Sequence, residues 1–344
     1  MRSVLANETD RNTESIVSAR RAIAIKDSLG ERRDKAYLGL LNTLAAALDG
    51  EGKLREAVQV YHRAIAAMDS SGRGGMLSRA IMRHDLALTL IKLGRIAEAE
   101  RILHEVLEQS ARSDQSGRIN WQPVIHYAET ALTQGRADSA AKYFRAIVDQ
   151  AVRDSSLYWE GRGLFGLARA QIRLGQLTQA RRAKVRLERI VELHPKVRGT
   201  DDQVPDGHTL DGSLYLAAGD AAAAKEEFLL ALKANGYFEG KRKARLRPVV
   251  LLAAECDLAM GRAPEAVKWA REALAIALVD SLAERESAAV GAARLVEAKA
   301  LLATGDSAGG RVAAERARVA LRVGAGPAHE LTQQAEALVM ELEG

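Results

Sequence analysis

The chain has 344 residues, 47% hydrophobic but only 4% aromatic, and its 50 basic and 45 acidic side chains leave a net charge of +5. Alanine and leucine at so low an aromatic content describe many helices packed through small contacts rather than one large aromatic core, and nearly cancelling charges disfavour a polyanion partner. A single cysteine, Cys256, excludes an internal disulfide and fits a reducing, cytoplasmic setting, while no apolar run is long enough for a secretory signal or a membrane span.

In chain order, Thr13–Ile25 reads as the second helix of a hairpin, with its turn counted back to Asp10 and about nine residues left for the first helix. Residues 1–30 are therefore expected to form a partial repeat. The exposed apolar face this implies suits either the C-terminal part of a longer protein or a short improvised cap. Over 31–326 seven helix pairs are predicted, with turns at Gly52, Gly94, Gly135, Gly175, Gly219, Gly261 and Gly305, spaced 42, 41, 40, 44, 42 and 44 residues apart. The cleanest copy is Leu93-Gly94-Arg95-Ile96-Ala97-Glu98-Ala99. There an apolar helix runs into a glycine able to adopt left-handed backbone, and an amphipathic helix starts at once.

Five residues past each glycine stands a small residue: Ala57, Ala99, Ala140, Ala180, Ala224, Ala266 and, in the last pair, Gly310. Twelve past it stands a second small or apolar one, from Ala64 to Ala317. Seven concordant copies predict an all-α repeat array occupying 1–344 as a single domain. Pro123, Pro248, Pro264 and Pro327 fall where helices should begin, and Pro195 and Pro205 fall in the long His194–His208 loop. Residues 327–344 are expected to close the stack as a capping helix with its charges outward.

The strings Ala57-Tyr61-Ala64, Ala140-Phe144-Ile147 and Ala224-Phe228-Ala231 resemble the second-helix pattern of the tetratricopeptide repeat (TPR) family. The resemblance covers nearly the whole chain, and it implies a right-handed α-solenoid of antiparallel helix pairs. A period near 42 exceeds the family's usual ~34 residues by about two helical turns. In that it is similar to the long repeats of kinesin light chains and bacterial regulators. The family's aromatic near the start of the first helix is mostly missing.

Several apparent catalytic motifs carry no chemistry. Gly161-Arg162-Gly163-Leu164-Phe165-Gly166 matches G-x-G-x-x-G, but it falls inside a predicted helix rather than after a strand. Gly236–Lys241 is one residue short of a phosphate loop. The histidines are scattered, and the group His194, Asp201, Asp202, Asp206 and His208 reads better as a solvated loop than as a metal site. Cys256 reads as a buried structural thiol. No cofactor, no metal and no enzymatic activity are expected.

In the TPR family the first helix of each pair lines the concave face. Offsets before each turn glycine then select Asn42, then His84 and Ile91, then Gln122, Ile125, Glu129 and Leu132, then Arg162, Phe165, Arg169 and Ile172 with Arg173 adjacent. Glu255 and Lys299 hold similar places later. Trp159, Arg162, Arg169 and Arg173 share one helical stripe, suited to gripping carboxylates of an acidic peptide or a C-terminus. A solvated or ion-paired stripe is the alternative. The peptide-binding face is thus expected at Asn42, His84, Gln122, Glu129, Trp159, Arg162, Arg169 and Arg173. The family's two-carboxylate clamp is not expected, because Asn42 fits one of its places and the partners are absent. Basic clusters at 181–186 and 241–247 invite a nucleic-acid reading, disfavoured for the first by arginines spread around the helix axis with Glu188 and Glu192 following, and for the second by a linker position. The expected function is a non-catalytic scaffold holding a peptide or partner helix in its groove. The alternative is the sensory or regulatory C-terminal module of a larger bacterial serine/threonine kinase or transcriptional regulator.

Overall fold

The computed structural model describes residues 2–32, 34–71, 76–113, 121–194, 207–240, 246–280, 285 and 287–343. Among these are sixteen α-helices, one 3-10 turn at Tyr237–Glu239, and no strand. The chain divides into two compact units, Met1–Ile119 and Asn120–Gly344.

The first unit holds α1 (Arg2–Ser28), α2 (Lys35–Gly50), α3 (Leu54–Ser71), α4 (Met76–Leu93) and α5 (Ile96–Ser113), each packed on the next. The turn expected at Asp10 does not form, because α1 continues through it for 27 residues. No glycine precedes Gly30, so nothing earlier takes the left-handed backbone that ends a helix, and the chain first reverses at Gly30 with φ +72°. Ile16, Ala19 and Ile23 of α1 are buried, and α2, which packs on α1, opens with the Asp34 carboxylate accepting from the Tyr37 amide at 2.7 Å.

The second unit holds α6 (Trp121–Thr133), α7 (Ala137–Arg153), α8 (Leu157–Arg173), α9 (Leu177–Leu193), α10 (Gly207–Ala217) and α11 (Ala221–Ala234). It continues through α12 (Arg247–Ala259), α13 (Ala263–Asp280), α14 (Ala288–Ala303), α15 (Ser307–Gly324) and α16 (Glu330–Glu343). Each neighbour in sequence is again a packing neighbour.

All seven turn glycines have positive φ, from +70° to +88°. At Gly94 the glycine amide donates to Ile91 O at 3.0 Å and the Arg95 amide to Leu90 O at 2.9 Å, the paired bonds of a Schellman cap. The six alanines five residues on are wholly buried. In the seventh pair a Cβ on Gly310 would lie 2.6 Å from Cγ of Leu302, so this crossing has no room even for alanine.

The G-x-G-x-x-G string is explained in the same way. It lies within α8, where a Cβ on Gly166 would meet Cε1 of Phe144 at 2.1 Å and one on Gly163 would meet Cγ2 of Val148 at 2.8 Å. These glycines let α8 approach α7. Gly212 does the same opposite Phe228, at 2.5 Å. Pro123, Pro248 and Pro264 sit in the first turns of α6, α12 and α13, and Pro327 lies in the turn before α16. Pro195 and Pro205 lie outside the described residues.

Candidate functional site

The first helices of four of the pairs in the second unit, α6, α8, α12 and α14, bring charged side chains toward one another, and α16 joins them. On α8, Arg162 Nη2 stands 3.3 Å from Glu129 Oε1 of α6, with its guanidinium 5.9 Å from the centre of the Trp159 ring. Arg169 lies 5.4 Å over Phe165. Its side chain is half-buried and forms no ion pair within 4.0 Å among the described residues. Burial pulls its pKa down, with Glu129 opposing and Arg173 reinforcing that shift. Arg173 Nη2 reaches Glu330 Oε2 of α16 at 3.6 Å.

Glu255 of α12 is open to solvent, yet surrounding protein pushes its carboxyl pKa up, against the pull of Lys299 and Arg173 and with added repulsion from Glu330. Its carboxylate thus feels charges from α8, α14 and α16 at once. Lys299 Nζ donates to Gln334 Oε1 of α16 at 2.9 Å. This cluster of α6, α8, α12, α14 and α16 carries four cations (Arg162, Arg169, Arg173, Lys299) against three carboxylates (Glu129, Glu255, Glu330).

A separate contact ties the start of α16 to the end of α6. His329, just ahead of α16, is 4% exposed, and its Nε2 lies 2.6 Å from Thr133 O at the end of α6. A carbonyl can only accept, so Nε2 carries the proton, while Nδ1 accepts from the Leu331 amide at 3.0 Å. The ring is therefore neutral. Burial lowers its pKa, more than the bond to Thr133 and the nearby Glu330 raise it.

The predicted site residues divide between the two units. Asn42 and His84 lie in the first. Asn42 has a buried Oδ1 without a hydrogen-bond partner, and His84 is buried with Nδ1 3.3 Å from Asp85 Oδ1. In the second unit Gln122 is exposed, and Glu129, Trp159, Arg162, Arg169 and Arg173 come together as described. Ile125 and Leu132, expected on the inner face, are instead core residues packed with Phe144. The sequence reading missed Thr133, His329 and Glu330.

Among the other candidates, Asp201, Asp202 and Asp206 lie outside the described residues, and His208 pairs with Glu227 at 2.7 Å. Gly236 and Gly240 flank the 3-10 turn, whose Tyr237 packs into the core beside Trp269. Cys256 is buried, and its thiol is pushed up to about 12 by burial. In the basic run of α9, Arg186 pairs with Glu160 at 2.7 Å and Lys184 with Asp211 at 3.1 Å. Residues 241–245 of the second run lie outside the described residues. Among the described residues no helix is long and apolar enough to cross a membrane.

Helix pairs closed by left-handed glycines, with a buried small residue at each crossing, define an α-solenoid repeat protein. The tetratricopeptide repeat family profile matches residues 82–105 and 161–183, so two stretches of the array carry repeats of that kind. A Rap protein solved in complex with the competence and sporulation factor is 12% identical, with TM-score 0.56 over 99% of this chain and 98% of that one. A tetratricopeptide repeat protein from Parabacteroides merdae is 12% identical, with TM-score 0.51 over 89% and 99%. No curated protein matches the sequence. At these identities the structural likeness speaks for the fold alone.

Proposed function

We propose that the chain is a protein-binding scaffold without chemistry of its own, and that the charged cluster of its second unit takes an acidic peptide segment or C-terminus along α8. The observation that carries this is Arg169, a half-buried guanidinium with no carboxylate in contact, held between Arg162 and Arg173 and backed by Phe165. Withdrawing a charge from water without a counter-ion is costly, and an incoming carboxylate that accepts two parallel N–H bonds offsets that cost. The Rap likeness supports the general reading, since that protein holds a bound factor on the same fold. Arg169→Glu is expected to weaken binding of a glutamate-rich decapeptide at least about tenfold by losing one charge-assisted contact and adding repulsion, with the thermal midpoint unchanged. Fluorescence anisotropy measures it. Equal affinity of the two proteins for the peptide would remove this assignment.

A further inference from the structure

The arginine stripe is not uniformly open. Arg162 is occupied by Glu129 and Arg173 by Glu330, and Arg169 between them stands without a carboxylate. The two occupying carboxylates differ in origin. Glu129 comes from the neighbouring helix pair, as any lateral salt bridge in a repeat array would. Glu330 comes from α16, the last helix of the unit and distant in sequence from α8.

The segment that brings Glu330 there is fixed by contacts of its own. His329 donates to Thr133 O, the Leu331 amide donates back to the ring, and Thr332 Oγ1 donates to Gly326 O at 2.8 Å. Gly135, in the turn that follows Thr133, leaves space for it, since a Cβ there would touch Cβ of Glu330 at 3.4 Å. The Arg173–Glu330 pair itself is weak. Both side chains are about half exposed, at 48% and 51%, and 3.6 Å is long for a charge-assisted bond. A firmly held segment thus delivers a loosely held carboxylate onto a cation of the proposed binding stripe.

We propose that the α15–α16 connection is an autoinhibitory latch, in which Glu330 occupies Arg173 in place of a partner's carboxylate and must be displaced when an acidic ligand binds along α8. The inference rests on the peptide-binding reading above, and it adds that the free protein carries its own competitor. The competitor is set one helical turn from the vacant Arg169, so a ligand first meets Arg169 and then contests Arg173.

The test uses the full chain and the glutamate-rich decapeptide. Removing the competing charge with Glu330→Gln is expected to tighten binding about two- to fivefold, the span of an exposed ion pair. The substituted side chain is half exposed, so folding is not at stake. Unchanged affinity in Glu330→Gln would overturn the latch while Arg169→Glu still weakened binding. Indifference of binding to Arg169→Glu as well would instead remove the site on which the latch acts.

Discussion

Gly166 shows how much of this architecture is decided by the absence of one methyl group. On an exposed helix alanine would be favoured over glycine by about 1 kcal/mol, but here its Cβ would sit 2.1 Å from the Phe144 ring. The clash outweighs the propensity. Gly166→Ala is expected to destabilise the protein by about 1–3 kcal/mol, as overpacking does, and the double variant with Phe144→Leu to recover part of the loss, measured by urea denaturation. The sequence reading rejected a nucleotide loop at these glycines from their place in a helix. It had no means of finding their purpose, because the ring that excludes a side chain lies on the preceding helix. The turn glycines were legible because their spacing recurs, whereas a packing glycine is visible only against its neighbour.

Between elements, ion pairs connect one helix pair to the next. Lys225 of α11 bonds to Asp257 of α12 beneath Trp269, whose ring centre is 5.5 Å from the ammonium nitrogen. The Asp257 side chain is 0% exposed, and its Oδ1 has no hydrogen-bond partner. Lys225→Met would leave a buried carboxylate without its cation, and a loss of about 3–5 kcal/mol is expected. Lys225→Met with Asp257→Leu should restore most of it, since an apolar pair of similar volume carries no such cost; calorimetry of the three proteins checks this. The helix pattern from α2 onward was readable from periodicity. The start of the chain was not, because the repeat frame placed a turn at Asp10 where no glycine permits one, and local helix propensity prevailed over the extrapolated period. Ile125 and Leu132 were misplaced for a related reason. A fixed offset from the glycine selects a helix face only to within a residue or so, and an apolar side chain near that boundary turns to the core.

At the scale of the whole second unit, the Thr133–His329 bond joins residues 196 positions apart. Its neutral ring faces Glu330 of α16, whose charge favours protonation, and Arg173 of α8, whose charge opposes it, while burial dominates and lowers the pKa below the usual 6.5. A base with a depressed folded pKa binds fewer protons when folded, so its contribution to stability is complete above about pH 6.5 and is lost as pH falls toward the folded value. The denaturant midpoint of the native protein should therefore fall further between pH 7.5 and 5.5 than that of His329→Gln, which has no ring to protonate. Equal falls would show that the ring is indifferent to its setting. None of this was legible beforehand. The contributors to the arginine stripe are neighbours in one helix, but Glu330 and His329 meet it only because small rotations accumulate through the intervening pairs, and no local pattern records that sum.

Arrays of this kind ordinarily change length by duplicating or losing a module, since each unit touches only the next. The bond from His329 to Thr133 removes that freedom from the five pairs spanning α6 to α15. One added module would carry the imidazole past its carbonyl, and one fewer would stop it short, so in this segment copy number is itself a structural constant.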